Sequence, residues 1–254
     1  MKTIFFRFYE ELNDFLPPEK HKKEFPQDIE GRPTVKHVIE SIGVPHTEID
    51  LILANGVSVD FNYYLKDRDR VSVYPVFEGM DITPILRLRP APLRNTAFIL
   101  DVHLGKLARM LRLLGFDTSY RNDFEDAQIV RISATERRIV LTRDIQLLKA
   151  RDVTHGYWIR SMNPDEQMIE VIHRFDLYHQ FKAFHRCLSC NGIIHEVSKE
   201  SVWYLLEPKT KIYYEDFFQC NACGQVYWKG THFPKLEEKI NRWRKLKSNV
   251  ISNG

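Results

Sequence analysis

Hydrophobic positions in the first part of the chain recur with short periods that predict a small mixed domain. Apolar runs at residues 3–8 and 69–75 predict strands. Residues 34–42 carry apolar side chains at helical spacing, and Thr34 is placed to cap that helix. Asn55-Gly56 lies inside a hydrophobic stretch at residues 51–59, and this dipeptide is typical of a hairpin turn. The predicted order is therefore strand, helix, hairpin and strand.

That order resembles the ubiquitin-like β-grasp fold, which sulfur carriers also adopt. Sulfur carriers of this kind end in a free Gly-Gly, whereas this chain continues past its last predicted strand through residues 77–81. We therefore expect a docking or scaffolding module with an unknown protein partner. A β-grasp partner in sulfur transfer is the less favoured alternative.

A different pattern begins after residues 84–95, which hold three prolines and three arginines and are predicted to be a linker. Beyond this linker, short apolar runs alternate with segments of helical spacing. The sequence predicts strands at residues 97–100, 117–120, 138–142 and 156–160, and helices at residues 104–114, 124–137 and 164–175. This alternation indicates an α/β domain with a parallel sheet, whose site lies at the carboxyl ends of the strands.

Acidic residues follow two of these predicted strands. Asp101 and Asp144 each come soon after an apolar strand, and Asp126 lies in the first turn of the helix between them. Taken singly, each acid is more simply a helix cap, and Asp123 with Asp126 resembles an N-cap pair. Converging carboxylates repel one another unless a cation lies between them, and their oxygens suit Mg²⁺ or Mn²⁺. The three acids together therefore favour a metal site.

The four cysteines of the chain form two Cys-x-x-Cys pairs, Cys187 with Cys190 and Cys220 with Cys223. Two such knuckles are typical of a tetrahedral zinc site with four thiolate ligands, although two disulfides or a redox pair share the spacing. The 29 residues between the pairs exceed the usual ribbon spacing. Strand-like runs at residues 202–206 and 211–214 predict an enlarged zinc ribbon.

Composition narrows the class of protein. The 254 residues are 43% hydrophobic and 28% charged, as in an ordinary soluble globular protein of up to two domains. The chain has no signal peptide and no stretch of membrane-spanning length, so we expect a reducing cytoplasm and no membrane. Residues 1–85 hold 10 Lys and Arg against 15 Asp and Glu, and the remainder holds 27 against 19. The basic remainder suits a polyanion such as nucleic acid, although solubilising charge explains it equally.

Four separated motifs resemble one known family. These are FILDVHLGKLARMLRLLGFD at residues 98–117, RIVLTRD at 138–144, RCLSCN at 186–191 and CNACGQVYWKGTH at 220–232. In this order they are similar to the Mut-seven C-terminal RNase domain family, a PIN-like nuclease fold with a C-terminal zinc ribbon. The β-grasp region resembles the ubiquitin-like module that often precedes that domain.

The resemblance implies a metal-dependent ribonuclease with Asp101, Asp126 and Asp144 as catalytic ligands of Mg²⁺ or Mn²⁺, and a structural Zn²⁺. Sites of this fold commonly use a fourth acid. Asp123 is the nearest candidate here, and Asp165 is a weaker one.

Basic and aromatic residues near these motifs are candidates for RNA contact. Lys106, Arg109 and Arg112 recur at helical spacing, and Arg143 adjoins the second strand-end acid. A solvated helix face explains the row of three equally well. Trp228 follows the second knuckle, where covering the ribbon core is slightly favoured over stacking on bases.

The sequence as a whole predicts five regions. They are a β-grasp domain at residues 1–83, a linker at 84–95, a PIN-like domain at 96–180, a zinc ribbon at 181–234 and a basic helix or tail at 235–254. The predicted function is metal-dependent hydrolysis of RNA phosphodiester bonds. A non-catalytic RNA-binding or ribosome-associated adaptor is the alternative.

Overall fold

The computed structural model describes residues 1–75, Leu88 and residues 96–250, with side chains as far as residue 246. The linker predicted at residues 84–95 lies outside the described residues, apart from Leu88.

A five-stranded mixed sheet with one helix forms the N-terminal region. The elements are β1 (Lys2–Phe8), β2 (Phe25–Ile29), α1 (Val35–Ile42), β3 (Leu51–Ala54), β4 (Val57–Ser58) and β5 (Arg70–Tyr74). The strand order is β2-β1-β5-β3-β4, with β1 parallel to β5 and the other neighbours antiparallel. This arrangement confirms the β-grasp prediction, and β2 is the strand that sequence reasoning missed.

Two local signals place the elements of this sheet as expected. The Thr34 side chain accepts a hydrogen bond of 3.3 Å from the His37 amide and so caps α1. Asn55 and Gly56 have positive φ angles of 51° and 81°, which the tight turn between β3 and β4 requires. The buried face of α1 then packs into a core that includes Ile4, Phe6 and Ile52.

Strands alternate with helices in the next region. The elements are β6 (Ala97–Leu100), α2 (Gly105–Leu113), β7 (Asp117–Ser119), α3 (Asp126–Glu136), β8 (Ile139–Thr142), α4 (Ile145–Leu148), β9 (Gly156–Trp158) and α5 (Pro164–Arg174). β6 pairs in parallel with β7, and β8 pairs in parallel with β9. A parallel sheet with helices is therefore present, as the PIN-like α/β prediction requires.

Antiparallel strands, two short helices and one long helix make up the last region. The elements are β10 (Ile194–Val197), α6 (Lys199–Val202), α7 (Pro208–Tyr213), β11 (Phe217–Cys220), β12 (Val226–Trp228) and α8 (Phe233–Val250). The three strands form one sheet in the order β10-β11-β12.

The strands predicted at residues 202–206 and 211–214 are wrong, because that stretch is helical. Ser198 caps α6 by accepting from the Ser201 amide, and Pro208 occupies the first turn of α7, a position that suits its fixed φ angle. Residues 199–213 therefore form a helical insert, and their apolar side chains lie on short helices beside the ribbon sheet.

The residues group by packing into two units. The first contains residues 1–95 and 125–159, and the second contains residues 96–124 and 160–254. α3, α4, β8 and β9 thus group with the β-grasp sheet, while β6, α2, β7 and α5 group with the ribbon.

Inside the first unit, a short 3-10 turn, His46–Glu48, joins the β-grasp region to the strand β9. The fully buried Glu48 accepts a hydrogen bond of 2.6 Å from the Trp158 amide through Oε1. The His46 ring bonds the Val153 carbonyl at 2.8 Å, and Lys149 Nζ donates to the Glu40 carbonyl at 2.8 Å. Buried polar contacts of this kind tie the ubiquitin-like region to the segment that carries Asp144.

Candidate functional site

Four cysteine thiols cluster at one end of the ribbon sheet. Their ligand atoms all lie within 4.8 Å of one another, and Cys187, Cys190, Cys220 and Cys223 are all free of disulfides. The Sγ atoms of Cys187 and Cys223 are 3.6 Å apart, and those of Cys190 and Cys220 are 3.4 Å apart. Zinc–sulfur bonds of about 2.3 Å in a tetrahedron separate the sulfurs by about 3.8 Å. The donor set therefore fits a structural Zn²⁺, and the disulfide alternative does not fit these distances.

The backbone around the cluster is built to surround sulfur atoms. The amides of Cys190, Gly192 and Ala222 each donate to a cysteine Sγ at 3.4 Å. A Cβ atom at Gly192 would lie 2.7 Å from Cys220 Sγ, which is closer than real contacts permit. Glycine at this position thus lets the first knuckle close over the second pair of ligands.

The thiols differ in their affinity for protons. Burial alone would raise the pKa of the Cys187 thiol. Hydrogen bonds from the Tyr227 hydroxyl and from the Cys190 and Ser189 amides outweigh burial and lower this pKa to about 6. Burial and hydrogen bonds with the neighbouring thiols raise the pKa of Cys190 to about 12. A thiolate is the form that binds a divalent cation, so the hydrogen bonds that lower the pKa of Cys187 also favour metal binding there.

The first knuckle is docked onto α2 and β7 by the guanidinium of Arg112. This side chain is only 3% exposed. Its Nη1 donates to the carbonyls of Leu188 and Ser189 at 3.2 and 2.7 Å, and its Nε donates to the Thr118 carbonyl at 3.0 Å. Nη2 bonds the Tyr120 carbonyl at 3.3 Å.

These contacts engage the guanidinium of Arg112 with the ribbon, and Arg112 also lines a groove with Lys106 and Arg109, so phosphate binding by the row of three stays a prediction. The position of Arg112 at helical spacing from Lys106 and Arg109 is as expected, but α2 turns it toward the ribbon. Burial lowers the pKa of Arg112, as expected for a guanidinium withdrawn from water.

A second set of side-chain bonds supports the same docking. Asn191 accepts from the Thr118 amide at 2.9 Å and donates to Asp117 Oδ1 at 2.8 Å. Arg186 pairs with Asp117 Oδ2 at 3.4 Å and donates to the Asn191 carbonyl at 3.0 Å. Sequence reasoning missed Asn191 and Asp117 as positioning residues, because their partners are more than 70 residues away along the chain.

Two acids of the predicted catalytic set follow parallel strands. Asp101 comes directly after β6, is 7% exposed and opens a 3-10 turn, Val102–Leu104. Asp144 follows β8 and is exposed, and its Oδ1 accepts a hydrogen bond of 2.7 Å from the Gln146 amide. Asp144 therefore caps α4, which was one of the two roles expected for it.

The other acids have varied surroundings. Asp126 is the exposed first residue of α3, whose capping box is formed by Glu125 and Gln128 and not by the expected pair of aspartates. Asp123 forms an exposed ion pair with Arg121, and the hydrogen bond from that guanidinium lowers the pKa of Asp123.

Asp165 is engaged by cations of the last helix. Its carboxylate pairs with Lys239 and lies 3.9 Å from Arg242 Nη2, so α8 neutralises it. Asp101, Asp123 and Asp165 belong to the second unit, and Asp126 and Asp144 to the first. Convergence of the acids on one cation thus stays a prediction.

Of the remaining basic candidates, two are exposed and Arg143 is half-buried. Lys106 and Arg109 are exposed on α2 and line a groove of about 780 Å³ whose far wall includes Leu188 and Ser189 of the first knuckle. Arg143 lies between β8 and Asp144, and its carbonyl accepts from Trp158 Nε1 at 3.2 Å.

The ribbon core bears on one further sequence interpretation. Its buried side chains are Val202, Leu206, Phe217 and Val226. Trp228 is 37% exposed and its ring lies 6.3 Å from that of Tyr214, which packs against this core, so its expected covering role stays a prediction.

Comparison with known proteins decides the family. Residues 96–240 match a family model described as the Mut7-C RNAse domain, and residues 1–81 match one described as Mut7-C ubiquitin. The chain belongs to the Mut7-C RNAse domain family. The Mut7-C match runs through the parallel strands, the cysteine cluster and the start of α8.

Comparisons beyond family models add little to the Mut7-C assignment. No curated protein matches the chain. One solved structure that does match is the crystal structure of SAMP1 from Haloferax volcanii, at 13% identity and a TM-score of 0.24. The match covers 31% of this chain and 99% of that chain, and at this score it supports no argument. Among the described helices, none combines the length and apolar character needed to cross a membrane.

Proposed function

We propose that this Mut7-C protein is a ribonuclease that hydrolyses RNA phosphodiester bonds with the help of Mg²⁺ or Mn²⁺. The observation that carries the proposal is the repeated placement of an acid beyond the carboxyl end of a parallel strand, Asp101 after β6 and Asp144 after β8. Sites in parallel α/β sheets form at that end of the strands. The family match supports a nuclease-type function.

The proposed roles follow from the contacts of each residue. Asp144 is oriented through the hydrogen bond that its Oδ1 accepts from the Gln146 amide, which presents the carboxylate at the start of α4. Asp101, Asp126 and Asp144 would hold the cation, which when bound supplies charge that activates water and stabilises the leaving oxygen. Lys106, Arg109 and Arg143 would neutralise phosphates of the substrate strand.

The decisive test compares Asp144→Asn with Asp152→Asn, which removes the same charge from another exposed site in the same unit. Cation stabilisation of a phosphoryl transition state amounts to several kcal/mol, so Asp144→Asn should reduce cleavage by about 100-fold or more. RNA binding should be unchanged or tighter, because a negative charge is lost. Asp152→Asn should cleave like the wild type.

Metal dependence gives the second arm of this test. EDTA should abolish cleavage of unstructured RNA, and added Mn²⁺ should restore it. Zinc content is measured in each sample so that loss of the ribbon is not mistaken for loss of the catalytic cation. Purified wild type that cleaves neither single-stranded nor structured RNA would replace the nuclease with the non-catalytic adaptor.

A protein partner for the ubiquitin-like module and a cytoplasmic location complete the proposal. The module lies apart from the cysteine cluster in sequence, and its match to the Mut7-C ubiquitin model favours a role in protein interaction. Four free thiols arranged around one centre favour a reducing compartment. Co-purification of other proteins with the tagged full-length chain would test the partner, because residues 1–75 share buried contacts with the segment that carries Asp144 and cannot be removed alone.

A further inference from the structure

A groove of about 650 Å³ lies between the ribbon sheet, the helical insert and the start of α8. Its volume falls in the range of about 300–1,000 Å³ that is usual for ligand sites. Aromatic side chains dominate its walls, among them Tyr213, Tyr214, Phe218, Tyr227, Trp228 and Phe233. All of the residues that line the groove belong to one packed unit, and they include Leu113 of α2 beside the ribbon.

The charged residues that line this aromatic groove have one sign. Lys209 and Lys229 line it together with His232 and with Arg186, whose guanidinium is already paired with Asp117. Among the described residues that form its walls, none is Asp or Glu. An aromatic floor with a cationic rim is complementary to an unpaired nucleic acid strand, whose bases stack while its phosphates meet cations.

One ring of the groove is held in place by the cysteine cluster, and two others are accessible. The Tyr227 hydroxyl lies 3.1 Å from Cys187 Sγ and accepts from the Leu188 amide at 3.2 Å, so the cysteine cluster orients this ring. Tyr213 is 74% exposed and Trp228 is 37% exposed. The oriented Tyr227 ring loses little conformational entropy when a base stacks on it, and Tyr213 and Trp228 offer exposed ring faces.

We propose that the aromatic groove binds unpaired bases of single-stranded RNA, largely without regard to their sequence. The groove presents mainly aromatic ring faces and cations, and few hydrogen-bond donors and acceptors in a fixed pattern that could select one base. Every base can stack on a ring face. This inference rests on the proposed function for its choice of RNA, and it adds that the substrate has an unpaired segment held by the ribbon.

The test measures binding of a labelled oligouridine of about 12 nucleotides by fluorescence anisotropy, with a fully paired hairpin as comparison. The full-length, zinc-loaded chain is used without added Mg²⁺ or Mn²⁺, and gels confirm that the RNA stays intact. Tyr213→Ala should weaken binding of oligouridine by about 5- to 100-fold, since one stacked base is lost. The hairpin should bind more weakly than oligouridine and should respond little to the substitution.

Tyr204→Ala is the matched control for the aromatic ring. Tyr204 is 93% exposed and lies in the same helical insert, but it does not line the groove. It should change affinity by less than about twofold. Lys209→Ala should reduce the slope of affinity against salt by about one, whereas Lys182→Ala, an exposed lysine outside the groove, should leave that slope unchanged.

The outcomes separate the groove from the nuclease. Equal effects of Tyr213→Ala and Tyr204→Ala on oligouridine affinity would overturn RNA binding by the groove. The nuclease proposal would then still be tested separately, by cleavage in Mn²⁺. A specific effect of Tyr213→Ala in a protein that never cleaves would keep the groove and remove the nuclease. A wild-type protein that does not bind oligouridine would overturn the inference, and a protein partner would then be the remaining candidate for the aromatic surface.

Discussion

Replacing Arg112 with Lys should destabilise the docking of the first zinc knuckle, although the positive charge is kept. The guanidinium donates to four carbonyl oxygens, those of Thr118, Tyr120, Leu188 and Ser189. A lysine amine lacks the planar fork that reaches acceptors on several sides at once. Most of these four bonds should therefore be lost.

The magnitude follows from the burial of the site. Hydrogen bonds to charged groups contribute about 1.5–3 kcal/mol each, and they are not additive within one network. Breaking a buried charged network typically costs about 3–5 kcal/mol. With a denaturant slope of about 1–3 kcal/mol per molar urea, the unfolding midpoint should fall by at least about 1 M.

The assay follows release of zinc from the loaded protein as urea increases, because this signal reports directly on the knuckle. Arg109→Lys is the control, since Arg109 is exposed on the same helix one turn earlier. That change should cost less than about 0.5 kcal/mol. Equal midpoints for Arg112→Lys and the wild type would refute the docking role of Arg112.

Three further substitutions test other parts of the structure. Cys220→Ser should abolish tight binding of one zinc ion per chain, measured by elemental analysis, and should unfold the ribbon, whose core is small. Glu48→Ala should lower stability by about 1–3 kcal/mol in urea, because the Trp158 amide loses its acceptor, whereas Glu48→Gln retains an oxygen there and should cost less. Burial lowers the pKa of His173 in the folded protein below its ordinary 6.5, because the buried ring favours its neutral form. The stability that this neutral ring contributes is complete above pH 6.5 and is lost as the pH falls through the folded pKa, since the unfolded chain binds a proton first. His173→Gln should therefore lose less stability than the wild type between about pH 7 and about pH 5, and equal losses in the two proteins would contradict this.

Local sequence signals determined the elements because those signals act within a few residues. The cap at Thr34 reaches the amide three residues later, and the Asn55-Gly56 turn needs only its own positive φ angles. The spacing of each Cys-x-x-Cys pair likewise builds a knuckle from a single turn. For these features the sequence prediction and the structure agree.

The helical insert shows where secondary structure predicted from residue propensities alone is wrong. Residues 202–206 and 211–214 are rich in aromatic and β-branched side chains, which favour strands. Capping by Ser198 and the fixed φ angle of Pro208 outweighed that preference, and both signals were visible in the sequence. Strand propensity is weak because it depends on cross-strand neighbours that a sequence does not specify.

Tertiary structure alone decided the role of Arg112 and the existence of the aromatic groove. Helical spacing places Arg112 in line with Lys106 and Arg109, but the carbonyls that it binds belong to residues as many as 77 positions away. The groove likewise combines rings from the insert, the ribbon strands and α8. Periodicity specifies which face of a helix a residue occupies, whereas its partner across that face is set by the packing of distant segments.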